Sequence, residues 1–188
     1  MAAIIHNLVT PFIKGLLGSI VFKRRNGKPY AAMKPIPSTL APSASQLQVQ
    51  QRFREAQHYA RTVMADPVRR AVYEQAATAQ GKSVFALAAG DFFSAPNISR
   101  INIDDYKGRV GDKIVITVLD AVAAASVNVL VRASNGAVLE QGAAAKDFEF
   151  WTYTATTAVA AGQNVTIEVT AKDRPGNSTT RSQPYHQP

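Results

Sequence analysis

Residues 165–177 read Val165-Thr-Ile-Glu-Val-Thr-Ala-Lys-Asp-Arg-Pro-Gly-Asn177. The first seven alternate between apolar and polar residues, which is the period of a β-strand with one buried face. The Pro-Gly-Asn ending is typical of a turn. The stretch therefore predicts a strand that runs directly into a tight turn.

The same two-residue period extends over the whole C-terminal half of the chain. It predicts seven short strands separated by turn signals, at residues 98–103, 113–119, 126–132, 137–141, 148–154, 164–170 and 179–182. Seven short strands in about ninety residues are typical of a Greek-key sandwich. Trp151, the single tryptophan, is predicted to lie in its core.

Helical spacing of apolar residues replaces this pattern upstream of Pro96. It predicts three short helices, over residues 43–65, 67–80 and 84–93, with Asp66 and Ser83 as N-caps and Gly81 as a C-cap. Their predicted inward side chains are Val49, Phe53, Ala56, Ala60 and Val63, then Val68, Val72 and Ala76, then Phe85, Leu87, Ala88 and Phe92. Phe53, Phe85 and Phe92 are expected to dominate this core.

The first 42 residues combine an apolar arm with a basic hairpin. Asn26-Gly27, between two short apolar runs, predicts a hairpin over residues 19–34 whose tip is basic. Prolines after residue 34 predict an extended linker. The chain carries a net charge of +8, and +6 of it lies in residues 1–40, which contain no acid. Any electrostatic partner is therefore expected to bind this segment.

Two stretches resemble known bacterial proteins. Trp151-Thr-Tyr153, the strand from Val165 to Ala171 and the turn Asp173-Arg-Pro-Gly-Asn177 resemble bacterial Ig-like domains, which are modules of surface, phage-tail and adhesion proteins. Gly15-Leu-Leu-Gly-Ser-Ile-Val-Phe22, Gln51-Arg-Phe53 and Gly81-Lys-Ser-Val-Phe85 resemble uncharacterised bacterial proteins with the same order of parts. That second family has no established activity, so the resemblance implies no catalytic residues.

The predicted fold class is thus α+β. We expect an N-terminal arm with a basic β-hairpin and a Pro-rich linker over residues 1–42. A unit of about three short helices follows over residues 43–97, and an Ig-like antiparallel β-sandwich over residues 98–188.

The sequence carries no pattern that specifies an enzyme. The absence of cysteine excludes disulfides and thiolate sites. Gly81-Lys82-Ser83 matches only the end of a phosphate-binding loop and is interpreted as a pair of helix caps. We therefore predict no catalytic, cofactor or metal residues. Asp104, Asp105 and Asp112 leave Ca²⁺ binding open, although solvated turn acids are favoured.

The arm favours a non-enzymatic structural or assembly subunit of a filament, phage-like particle or surface machine. Its apolar surface is larger than a free tail shows in water, and other copies or other subunits are the expected partners. The predicted assembly contacts are Ile4, Ile5, Leu8, Phe12, Leu16 and Leu17.

The alternative is a nucleic-acid-binding protein that uses the basic hairpin. The predicted basic contacts are Lys23, Arg24, Arg25 and Lys28. The arm has no basic residue before its apolar stretch, and Pro11 and Lys14 interrupt it, so we expect neither a cleavable signal peptide nor a transmembrane segment. The protein is then expected to be made in the cytoplasm or exported within an assembly.

Overall fold

The computed structural model describes residues 2–3, 14–25, 28–37 and 39–188. The chain divides into two compact units, residues 1–47 and residues 48–188. The predicted division at residue 98 falls inside the second unit and stays a prediction. Each unit is described by itself below.

The first unit is built on a four-stranded antiparallel sheet. Its strands are β1 (Ala2–Ala3), β2 (Gly15–Leu17), β3 (Ile20–Arg25) and β4 (Lys28–Met33), in the order β1-β4-β3-β2. Strands β3 and β4 pair in the register Ile20↔Met33 to Arg25↔Lys28, which confirms the predicted hairpin. Residues 26–27, the predicted turn, lie outside the described residues.

Three helices follow at the predicted places, α1 (Ala44–Ala65), α2 (Pro67–Gln80) and α3 (Val84–Asp91). The Asp66 side chain accepts hydrogen bonds from the amides of Val68 and Arg69, and the Ser83 side chain accepts one from the Ala86 amide. Gly81 ends α2 in the left-handed conformation, at φ 61°. Gly81-Lys82-Ser83 is therefore a pair of helix caps, as the sequence predicts.

The helices bury some of the predicted inward residues and leave others exposed. Their shared core contains Ala60, Val63, Tyr73, Ala77, Leu87, Ala88 and, from a sandwich loop, Val122. Four predicted core residues are exposed instead, Val49 at 68%, Phe53 at 52%, Val68 at 77% and Phe85 at 38%. Phe92 is half-buried. In α2 the buried residues are Tyr73 and Ala77, while the predicted Val72 and Ala76 are partly buried against the same core. In α3 Leu87 and Ala88 are buried, as predicted.

For α1 the predicted stripe is correct but is covered only in its second half, where Ala56, Ala60 and Val63 are buried. At 1.5 Å per residue the 22-residue α1 is about 33 Å long, whereas the 14-residue α2 and the 8-residue α3 are about 21 and 12 Å long. The shorter helices cannot cover all of α1. The first half of α1 therefore carries exposed apolar residues.

Two antiparallel sheets form the C-terminal part. One has the order β5-β6-β10-β9 and the other the order β12-β11-β7-β8. The strands are β5 (Asn97–Asn102), β6 (Lys113–Leu119), β7 (Ser126–Ala133), β8 (Val138–Ala143), β9 (Ala145–Asp147), β10 (Phe150–Thr154), β11 (Asn164–Lys172) and β12 (Ser178–His186). Successive pairs of strands alternate between the two sheets, with β5–β6 and β9–β10 in one and β7–β8 and β11–β12 in the other. The sandwich-like architecture and the α+β class are as predicted.

The sandwich core follows the predicted alternation. The buried residues include Ile114 and Ile116 of β6, Val127, Val129 and Val131 of β7, and Val165, Ile167 and Val169 of β11. Trp151 is 8% exposed and belongs to the same cluster, as predicted. The strand predicted over residues 148–154 begins only at Phe150, because residues 148 and 149 form the turn between β9 and β10.

Within the second unit, the helices are joined to the sandwich by hydrogen bonds as well as by Val122. The side-chain amide of Gln80 donates to the Ala121 carbonyl at 2.9 Å, and the side-chain amide of Asn177 donates to the Phe92 carbonyl at 3.2 Å. The Arg181 guanidinium donates to the carbonyls of Ile98 and Ser99. This last contact satisfies carbonyls of the edge strand β5 and ties it to β12 of the facing sheet.

The observed phase of α3 gives a direct test. We expect Leu87→Ala to lower the free energy of unfolding by about 2–5 kcal/mol, because Leu87 is 3% exposed and its loss leaves a cavity. Phe85→Ala removes a larger but partly exposed side chain and should cost about 1 kcal/mol or less. Urea unfolding of the full chain measures both. An equal loss in the two variants would contradict this packing of α3.

Candidate functional site

The arm residues predicted as assembly contacts are only partly described. Ile4, Ile5, Leu8 and Phe12 lie outside the described residues, and their assignment stays a prediction. Leu16 and Leu17 lie on the edge strand β2 and are 55% and 67% exposed.

Strand register reveals an apolar face in the first unit. Leu17 pairs with Ile20, and Ile20 pairs with Met33, so the three side chains lie on one face of the sheet. Phe22 lies on the same face by alternation. Met33 is 70% exposed and Ile20 39%. Sequence reasoning missed Met33 as a contact, because only the strand pairing places it on the same face as Leu17.

No described side chain among residues 14–47 is buried. A sheet with one apolar face gains stability only when that face is covered. The face that contains Leu17, Ile20, Phe22 and Met33 is called the open face below. It is the first of two candidate sites in this chain.

The basic residues lie at the hairpin tip. Lys23, Arg24 and Lys28 are exposed, and Arg25 is the last residue of β3. Lys23 pairs with Tyr30 and Arg24 with Pro29, so Lys23 and Arg24 point to opposite faces of the sheet. In the described part of the chain, no ion pair involves Lys23 or Arg24.

The turn acids have structural partners. One carboxylate oxygen of Asp112 accepts hydrogen bonds from the amides of Lys107 at 2.7 Å and Arg109 at 2.8 Å, and these backbone bonds lower the pKa of Asp112. Asp104 lies 3.9 Å from the Arg100 guanidinium. Among the described residues, no three His, Asp or Glu side chains form a group suited to a metal ion.

A buried polar chain connects the three helices. The hydroxyls of Tyr59 and Tyr73 are 2.8 Å apart, and the Tyr73 hydroxyl donates to the Asp91 carboxylate at 2.5 Å. Tyr73 is fully buried and Asp91 is 1% exposed. These hydrogen bonds join α1, α2 and α3, and the burial of Tyr73 and Asp91 indicates a structural role.

The Asp91 carboxyl is held in an unfavourable environment when ionised. Burial raises the pKa of Asp91 to about 6, opposed by the Tyr73 hydrogen bond. Asp120 and Asp173 raise this pKa further, and Arg174 lowers it. One Asp91 oxygen has no hydrogen-bond partner in the described structure. Ionisation of Asp91 therefore costs folding free energy.

A second candidate site is a cleft at the turn between β9 and β10, with a volume of about 380 Å³. Asp120, Lys146, Phe148, Glu149 and Trp151 line it. The Lys146 ammonium lies 5.9 Å from the centre of the Trp151 ring, because the two residues are register partners. Burial raises the pKa of Asp120 and is the largest influence on it.

Backbone strain is concentrated at this cleft. In the described chain, Ala123 at φ 22° and Phe148 at φ 48° are the non-glycine residues with positive φ, and both line the cleft. Phe148 is 94% exposed, so its ring gains no packing energy in return for the strain. Strain of this kind is characteristic of functional sites. The cleft is therefore a candidate interaction site that sequence reasoning did not select.

The Asp91 environment predicts an unusual pH dependence. The folded pKa of about 6 lies above the value of 3.8 for a free carboxyl, so the folded state binds the extra proton and stability falls as the pH rises from about 4 to 6. Asp91→Asn should remove this loss, making the variant more stable than the wild type by up to about 3 kcal/mol above pH 6 and equal to it below pH 4.

Urea unfolding of both proteins across this pH range measures the difference, and the exposed Asp105→Asn is the matched control. A difference that does not change with pH would contradict the assignment of the loss to Asp91.

The strain at Phe148 gives another test. Phe148→Gly should raise the free energy of unfolding by about 0.5–1 kcal/mol, because glycine adopts positive φ without the steric cost of a side chain. Phe150→Gly, two residues on and within strand β10, should destabilise the protein. Thermal melts of the full chain compare the two. A lower melting temperature for Phe148→Gly would show that the ring stabilises the turn.

None of the helices in the described part of the chain has both the length and the apolar character of a membrane crossing. No protein-family model and no curated protein matches the chain.

Three solved structures are similar to about half of the chain. CopC from Methylosinus trichosporium OB3b is 10% identical over 48% of this chain and 91% of its own, with a TM-score of 0.37. The Br derivative of BhCBM56 is 17% identical over 43% and 85%, with a TM-score of 0.32. A conjugative transposon lipoprotein from Bacteroides eggerthii DSM 20697 is 12% identical over 48% and 94%, with a TM-score of 0.26. These likenesses are compatible with an antiparallel β-sandwich-like fold and carry no argument about function.

Proposed function

We propose that this protein is a non-enzymatic structural subunit that assembles with other copies of itself. The observation that carries the proposal is the open face of the first unit. Leu17 and Met33 are 67% and 70% exposed on a sheet that has no buried side chain among its described residues. Such a face needs a partner surface.

The hydrophobic effect gives the driving force. Burying apolar surface contributes about 25 cal/mol per Å², so covering several large side chains supplies a few kcal/mol even after the cost of association. A second open face is the most available partner, because two-fold symmetry brings identical patches together. The apolar arm residues Ile4, Ile5, Leu8 and Phe12 would add to the same interface.

The second unit supplies the rest of the subunit in this proposal. We assign its sandwich to the bacterial Ig-like type, on the basis of its two antiparallel sheets and the buried Trp151. The order of hairpin, helices and sandwich is also that of the uncharacterised bacterial proteins that the sequence resembles. A filament, a phage-like particle or a surface machine is the kind of assembly that such a subunit would build.

One observation favours nucleic-acid binding as a second candidate function. Lys23 and Tyr30 are register partners, so a cation and an aromatic ring lie side by side on one face of the hairpin. Phosphate contacts and base stacking use this combination. The exposed Arg24 and Lys28 would add further phosphate contacts.

The open face can be tested in the full chain. Leu17→Glu combined with Met33→Glu places two charges on the face and should raise the dissociation constant of self-association by about tenfold or more. Analytical ultracentrifugation over a concentration series measures this constant. Val110→Glu, at a residue that is 64% exposed in the second unit, is the matched control and should leave association unchanged.

A wild-type protein that stays monomeric at high concentration would overturn the assembly proposal. If that monomer also binds labelled DNA or RNA with a strong salt dependence, the second candidate replaces it.

A further inference from the structure

An acidic and aromatic hairpin tip projects from the second unit. It consists of Asp147, Phe148, Glu149 and Phe150 and is called the acidic tip below. All four residues are exposed, and Phe148 is 94% exposed. In the described part of the chain, neither Asp147 nor Glu149 forms an ion pair. The neighbouring Lys146 lies over the Trp151 ring.

The first unit carries the complementary surface. Lys23, Arg24, Arg25 and Lys28 form a cluster of four cations, called the basic tip below, in a segment without a single acid before Glu55. Lys23, Arg24 and Lys28 are exposed. The chain therefore has one hairpin tip of each sign, and neither has a described ion-pair partner.

We propose that the acidic tip of one copy binds the basic tip of a second copy. The inference rests on the proposed assembly function and adds a second contact to it. An arginine side chain of the basic tip stacks on the exposed Phe148 ring while its guanidinium pairs with the Asp147 or Glu149 carboxylate. The adjoining cleft receives the stem of the same side chain.

Two observations favour this occupant over others. The exposed ring of Phe148 is maintained against an unfavourable backbone conformation at φ 48°, and a flat aromatic surface beside carboxylates suits a guanidinium. The charges are also opposite in sign, since two carboxylates face a cluster that holds an excess of positive charge. Nucleic acid would be repelled by the acidic tip and can compete only for the basic one.

The contact joins two different surfaces, so two copies can either pair both tips reciprocally about a two-fold axis or associate head-to-tail. A head-to-tail contact leaves one free tip of each sign on every dimer, and further copies can add until a ring closes or a filament grows. Association through this contact is weakened by salt, because partly exposed ion pairs are screened.

The test uses two full-length charge-reversal variants. One carries Asp147→Lys and Glu149→Lys, and the other carries Lys23→Glu and Arg24→Glu. Each variant alone should associate about tenfold more weakly than the wild type, since the first places like charges against each other and the second removes the net positive charge of the basic tip. Asp104→Lys with Asp105→Lys is the matched control, because it changes the net charge equally at exposed residues elsewhere in the sandwich. Thermal melts confirm that each variant is folded.

Mixing the two reversal variants in equal amounts provides the decisive measurement. In the mixture the unaltered basic tip of the first variant meets the unaltered acidic tip of the second, so association measured by ultracentrifugation should return to near the wild-type level. No recovery on mixing, or a variant that associates like the wild type on its own, would overturn the contact between the two tips. If the wild type associates in that case, the assembly proposal stands without it.

The same protein samples also test whether the basic tip binds nucleic acid instead of the acidic tip. If Lys23→Glu with Arg24→Glu abolishes retention on heparin and leaves self-association unchanged, the basic tip serves nucleic acid and the inference is wrong. A wild type that is monomeric at every concentration overturns both the inference and the proposed function.

Discussion

A β-sheet with an apolar face must have that face covered, and the two units of this chain meet the requirement differently. In the second unit, two sheets cover each other, and residues such as Ile116 and Ile167 are fully buried between them. In the first unit, the described side chains include none that is buried. The sandwich therefore covers its own apolar faces, whereas the open face has no buried side chain among its described residues. This contrast directs the functional proposal to the first unit.

Buried carboxylates hold the second unit together where its parts meet. One Glu140 oxygen, on β8, accepts hydrogen bonds from the Tyr153 hydroxyl, from the amide and hydroxyl of Thr156, and from the Thr157 amide. It thereby joins one sheet to the loop that follows β10 of the other. Asp91 does the same for the helices through Tyr73, at the cost of an ionised group in a buried site. These polar contacts fix how the parts are arranged, and the apolar core supplies most of the stability.

The sequence was sufficient for the elements and their order, because each has strong local signals. Caps such as Asp66 and Gly81 mark helix ends, and alternation marks strands regardless of their partners. It was insufficient for the helix faces, since the apolar Phe53 and Phe85 remain 52% and 38% exposed on the packed helices. The open face could be predicted only in part. Leu17 belongs to the apolar arm, but Met33 joins it through strand register, which is a long-range property, and Leu16 lies on the opposite face.

The acidic tip shows why some functional surfaces escape sequence reasoning. A Phe-Glu dipeptide between two short strands carries no turn signal of the Asn-Gly kind, so residues 148–149 look like the continuation of a strand. The structure instead places Phe148 at positive φ, which opposes folding, and leaves its ring in solvent, where no burial offsets that cost. A chain optimised for stability alone would have glycine there. The cost is balanced if the ring is used by a partner, and the unpaired carboxylates on either side of it determine the sign of charge that this partner must carry.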